Sequence, residues 1–196
     1  MTLQPNDHKH YSSPTRKPDV IVIEGHSIPQ CNIQQPEILW LIHQQLIAHD
    51  CKSLLVIGSG YAALEWHVAR KYYQKKLPLE LTSIDIDQSQ ARLLTLCDIS
   101  TRYNYNTRCI YGDSTDPTIY PEQMWDAIFI DASHTHKEIL QEYFIAKKRA
   151  TKLIALHNIN TTDNHAAPHI WKSLRDKSRT SEIRTTTSGG IGIVWQ

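Results

Sequence analysis

From residue 36 onward, short apolar runs alternate with longer stretches whose apolar positions recur every three or four residues. In 36–49, PEILWLIHQQLIAH, the residues Ile38, Leu41, Ile42 and Leu46 share one face and Pro36 occupies the first turn, so the spacing predicts an amphipathic helix. The run SLLVI at 53–57 is too short for a helix and leads straight into Gly-Ser-Gly, as expected of a strand buried on both faces. The same periodicities predict helices over 62–75, 88–101, 136–150 and 168–176, and strands over 79–85, 107–111, 127–131 and 152–157. Parallel strands need crossover connections, so this alternation predicts an α/β fold: a doubly wound, Rossmann-like sheet with helices on both faces.

The two ends read differently. Residues 1–18 are rich in Pro, Ser, Asn, Lys and His without periodicity and are expected to form a disordered or loosely docked tail. The β-branched run DVIVIE at 19–24 suggests an edge strand, and 25–35 reads as a loop. At the other end, SEIRTTT and IGIVW flank Ser188, Gly189 and Gly190, which predicts a hairpin and at least one antiparallel strand. Residues 19–196 are therefore expected to form a single domain, a size that suits 196 residues.

Composition narrows the function classes. Lys plus Arg number 21 against 20 for Asp plus Glu, so no basic surplus favours nucleic acid as a partner. The apolar runs fall far short of the roughly 20 residues that a membrane-spanning helix needs, and none is expected. The polar N-terminus lacks a secretory pattern, which favours a cytoplasmic location. Cys31, Cys51, Cys97 and Cys109 show no C-x-x-C spacing and read as reduced, buried thiols. Trp40 and Trp195 leave a homo-oligomer open.

In open α/β sheets, ligands gather at the carboxyl ends of the strands, near the point where strand order reverses. The first strand there ends in Gly58, Ser59, Gly60, Tyr61, Ala62 and Ala63, a turn that lets backbone approach a nucleotide-type cofactor. Asp85 closes the second strand about 20 residues past that turn, where an acid commonly takes ribose hydroxyls. Its neighbour Ile86 is grouped with the cofactor residues, and Asp87 reads as a helix cap. Asp113 and Ser114, after the third strand, can hydrogen-bond an adenine edge. Asp131 ends the fourth strand with His134 close behind, and His157 and Asn158 end the fifth. If those strands are neighbours, the four residues converge into a set suited to proton abstraction or to a hard divalent cation.

Read in order, SLLVIGSGYAALEW, SIDID, YGDSTD, WDAIFIDASH, KLIALHNI and SGGIGIVW resemble class I S-adenosylmethionine-dependent methyltransferases. Within them the chain is most similar to small O-methyltransferases of the catechol, macrocin and rhamnosyl type and to the cephalosporin hydroxylase-like proteins. The resemblance covers about residues 34–196, including Gln35 ahead of the first helix. It implies a seven-stranded sheet whose last strand is inserted antiparallel, which accounts for the closing hairpin and favours S-adenosylmethionine over a nicotinamide. It further implies that Gly58, Ser59, Gly60 and Tyr61 line the methionine part, with Gln35 and Asp131 nearby, that Asp85 holds the ribose, and that Asp113 and Ser114 meet the adenine. Asp131 matches the acid that binds magnesium in metal-dependent relatives, and His157 with Asn158 match the pair that closes the fifth strand.

Two residues depart from the family pattern. The pair His157-Asn158 puts a neutral amide where a carboxylate is usual, which lowers the charge available to a cation. Val56 stands where relatives carry an acid at the end of the first strand. The expected activity is transfer of a methyl group to a hydroxyl of a small-molecule acceptor, with His134 or His157 as the base, Asp131 beside them, and Mg2+ at Asp131, His157 and Asn158 as an open question. The rival readings are a non-catalytic module that kept the fold, and a nicotinamide-dependent oxidoreductase suggested by the G-x-G-x-x-A match alone.

Overall fold

A computed structural model describes residues 20–23, 26–29, 36–60, 62–88, 90–132, 135–161, 166–183 and 189–196. The expected tail at 1–18 lies outside them, as do Gln35, Tyr61 and His134.

The first predicted strand exists as Val20–Ile23 (β1), but it has a partner that the sequence did not suggest. His26–Pro29 (β2), expected to be loop, pairs with it antiparallel in the register Ile21↔Ile28. HSIP contains a proline and no alternation of its own, so nothing in it signals a strand.

Beyond this ribbon the chain alternates as expected. Pro36–Ala48 (α1) leads to Ser53–Ile57 (β3), Ala63–Gln74 (α2), Glu80–Asp85 (β4), Gln90–Tyr103 (α3), Asn106–Tyr111 (β5) and Trp125–Ile130 (β6). His136–Lys147 (α4), Ala150–His157 (β7), Ala167–Arg175 (α5), Thr180–Ile183 (β8) and Ile191–Trp195 (β9) complete it.

The main sheet has seven strands in the order β5-β4-β3-β6-β7-β9-β8. The pairs from β5 through β7 are parallel, whereas β9 enters antiparallel between β7 and β8. Chain order therefore reverses between β3 and β6, and this reversal opens a crevice above the carboxyl ends of both strands.

The two-residue side-chain period of β3 divides the core. Leu54 and Val56 face one layer with Ile38, Leu46, Leu64, Val68 and Ile99 of α1, α2 and α3. Leu55 and Ile57 face the other with Ile139, Tyr143, Ile170 and Trp171 of α4 and α5. Gly192 is required where the layers close on β9, because an added Cβ would lie 2.3 Å from the Trp171 ring.

No helix among the described residues is long and apolar enough to cross a membrane. Trp40 is buried. Of the described cysteines Cys51 is buried and Cys97 is exposed on α3, so the expectation of buried thiols fails at Cys97.

Candidate active site

Because β3 through β7 run parallel, all five strand tips lie along one edge of the sheet. The turn after β3 sets the floor of the crevice. Gly58 has φ +78, and a Cβ there would meet the Ala132 Cα at 2.4 Å, so only glycine lets this turn lie against the tip of β6. Gly60 and Ala62 also have positive φ, and Ala62 caps α2 without a side-chain hydrogen bond. Ser59 is buried, and its hydroxyl has no hydrogen-bond partner among the described residues.

Asp85, at the tip of β4, is tied to that turn. Its Oδ2 accepts from the Gly60 N–H at 3.0 Å and its Oδ1 accepts from the Asp87 N–H at 2.9 Å. Oδ2 also lies 3.1 Å from Nη2 of Arg92, a fully buried cation on α3. Ile86, the next residue, stands 77% exposed, an uncommon position for a large apolar side chain.

At the tip of β5, the Asp113 Oδ1 accepts from both the backbone N–H and the hydroxyl of Thr115, and these bonds hold its carboxyl below the usual range. Ser114 turns inward, where its hydroxyl donates to Glu142 of α4 at 2.5 Å.

Across the reversal, β6 and β7 are neighbours, as the convergence of Asp131, His157 and Asn158 requires. His157 Nδ1 lies 2.8 Å from Asp131 Oδ1, with side chains 12% and 17% exposed. An ionised carboxylate only accepts, so the neutral imidazole carries its proton on Nδ1 and presents a lone pair at Nε2. That Nε2 is buried and has no partner among the described residues.

Asn158 faces another way. Its backbone is left-handed, with φ 61, and its Oδ1 lies 2.5 Å from where a Cβ on Gly189 would sit, so the amide is packed against the connection into β9. No group of three or more His, Cys, Asp or Glu side chains able to hold a metal occurs among the described residues.

Arg92 and Glu65, both buried beside the turn, escaped the sequence reading. Glu65 is fully buried on α2, and burial pushes its carboxyl up to about 7 against the pull of its own backbone N–H, the Ser83 hydroxyl and the Arg92 charge. A charged residue on the inward face of a predicted helix was the only available signal for either.

No protein-family model matches the sequence, and no curated protein matches it. Solved structures do match. The O-methyltransferase TomG from Streptomyces achromogenes, involved in tomaymycin synthesis and solved with S-adenosylmethionine, aligns at 16% identity and TM-score 0.63 over 86% of this chain and 82% of its own. An O-methyltransferase from Bacillus cereus with S-adenosylhomocysteine aligns at 16% and 0.61 over 86% and 84%. The S-adenosylhomocysteine-bound methyltransferase PaMTH1 of Podospora anserina aligns at 12% and 0.61 over 84% and 80%. At such identities the likeness establishes a shared fold, that of the seven-stranded sheet with its inserted antiparallel strand.

Proposed function

We propose that this protein is an S-adenosylmethionine-dependent methyltransferase that methylates a hydroxyl of a small-molecule acceptor, with His157 as the general base. The observation that carries the reading is the His157–Asp131 pair, 2.8 Å apart, set beside the Gly58 turn at the reversal of strand order. The neighbours solved with S-adenosylmethionine or its demethylated product share this fold, which supports the cofactor assignment.

The crevice suits that cofactor. Gly58 and Gly60 let backbone approach a ligand, and the start of α2 lacks a side-chain cap, leaving amide donors for a carboxylate. Asp85 offers its carboxylate at the ribose position, and exposed Ile86 offers an apolar surface beside it. Gln35, Tyr61 and Asp113 complete the proposed lining. When bound, S-adenosylmethionine supplies an electrophilic sulfonium methyl.

The chain's own contribution is to hold the acceptor and take its proton. Asp131 fixes the imidazole of His157 and stabilises the imidazolium formed when Nε2 accepts the hydroxyl proton. Positioning of the acceptor oxygen supplies much of the remaining rate. His134, which follows β6 in the chain, is the second candidate for the base.

The residues fit magnesium poorly. Magnesium keeps several waters and is held by one or two free carboxylates, whereas this corner offers one carboxylate already bonded to His157 and one neutral amide packed against the connection into β9. The proposed reaction therefore uses no metal.

Phenolic and sugar-hydroxyl acceptors, screened by release of S-adenosylhomocysteine, test the chemistry. His157→Ala and Asp131→Asn are expected to lower turnover by about 100-fold or more while S-adenosylhomocysteine still binds. Full turnover in His157→Ala would remove it from the mechanism.

A further inference from the structure

The elements that frame the candidate cofactor turn converge on one side chain. Arg92 Nε donates to the Gly60 carbonyl at 2.7 Å, Nη1 donates to the Asp87 carbonyl at 2.5 Å, and Nη2 lies 3.1 Å from Asp85 Oδ2. The same Asp85 carboxylate accepts from the N–H groups of Gly60 and Asp87. These contacts close a ring through the turn after β3, the tip of β4 and the start of α3.

Burying a guanidinium is unfavourable unless its donors are matched and its charge is balanced. Here Nε and Nη1 donate to carbonyls while Nη2, without a hydrogen bond among the described residues, sits at ion-pair distance from Asp85, and the planar fork reaches three groups that a lysine ammonium could not span together. Two carboxyls share the neighbourhood. Glu65, wholly buried on α2, keeps its proton below about pH 7, so Asp85 is left as the counter-charge. Buried Leu96 and Ile99 supply apolar contacts of α3.

We infer that Arg92 is a positioning residue for the cofactor, which sets the Gly60 turn and the Asp85 carboxylate in their binding geometry before any ligand arrives. It does not touch the ligand, because its side chain is fully buried. It acts by lowering the ordering cost that binding would otherwise carry. This role rests on the methyltransferase reading, and it concerns affinity for the cofactor rather than the chemical step.

The test is calorimetric titration of the full chain with S-adenosylhomocysteine, well below the melting temperature. The wild type is compared with Arg92→Met, Arg92→Lys and Ile99→Ala, the last a buried truncation on the same helix that lowers stability without touching the ring. Both Arg92 variants are expected to raise Kd roughly tenfold or more, with Lys failing to restore it, while Ile99→Ala binds like the wild type. If Arg92→Met does not fold, Arg92→Lys carries the comparison. Arg92 variants as tight as the wild type would overturn the role, and so would an equal loss in Ile99→Ala, which would reduce it to general stability. A wild type that binds no S-adenosylhomocysteine would overturn the cofactor reading itself, and this role with it.

Discussion

Acidification should loosen the contact between α1 and α2 through one buried imidazole. His67 of α2 and His43 of α1 are both buried, with His67 Nε2 2.9 Å from His43 Nδ1. The Gln44 amide lies 2.7 Å from His43 Nε2 and donates to it, so the proton of His43 sits on Nδ1, between His67 Nε2 at 2.9 Å and the Leu39 carbonyl at 3.3 Å. A proton added to His67 Nε2 would confront that N–H. Burial first, then His43, Lys71 and Arg70, push the His67 imidazole down from 6.5 to about 2.

The folded pKa lies below the unfolded one, so the contribution of His67 is fully present above 6.5 and is lost as pH falls toward the folded value. The slope is about 1.4 kcal/mol per pH unit, which gives a loss of about 2 kcal/mol at about pH 5. Glu65 acts with the opposite sign in part of the same range, so the wild-type profile alone would mix the two. The difference between wild type and His67→Gln isolates the imidazole, since the amide oxygen can accept from His43 but cannot titrate. Urea unfolding followed by circular dichroism measures it. The stability of the wild type relative to His67→Gln should fall by about 2 kcal/mol between about pH 7.5 and pH 5. A difference constant to within about 0.5 kcal/mol would refute the reasoning.

Three further perturbations follow from the same geometry. Glu65→Gln removes a carboxyl whose folded pKa is raised from 4.5 to about 7, so the wild type should lose stability relative to the variant as pH rises through that window, by up to about 3 kcal/mol; pH-dependent urea unfolding reads the effect, and a flat difference contradicts it. Gly58→Ala meets both a left-handed φ and the Ala132 backbone at 2.4 Å, and should cost about 2 kcal/mol or more in thermal unfolding together with S-adenosylhomocysteine binding. Gly192→Ala drives a methyl into the Trp171 ring, so it should cost about 1–3 kcal/mol of stability, read by thermal unfolding, and an unchanged melting temperature contradicts the packing argument.

The main sheet was legible because its strands are continuous apolar runs: SLLVI became β3 at the expected residues, and the strand expected over 127–131 became β6 over Trp125–Ile130 beside it. Boundaries slipped where both periodicities fit. Ala150 and Thr151 look like a helix end yet start β7, since Ala150 pairs with Trp125. β2 was hidden because HSIP carries no alternation of its own and its pairing with β1 is not written in it. In the site, Asp85, Asp131 and His157 could be found because strand ends are where such chemistry collects. Arg92 could not, because two of its three partners are backbone carbonyls, one of them 32 residues away, and no side-chain pattern marks a carbonyl. Ser114 was expected to face a ligand; that its hydroxyl meets Glu142 instead depends on the packing of α4, which a motif does not encode.

Calorimetric titration of the full chain with S-adenosylmethionine, with and without magnesium, tests the central claim most directly. One-to-one binding that magnesium leaves unchanged is the predicted result. Absence of binding under both conditions would contradict the account and leave the chain as a methyltransferase-like fold without its chemistry.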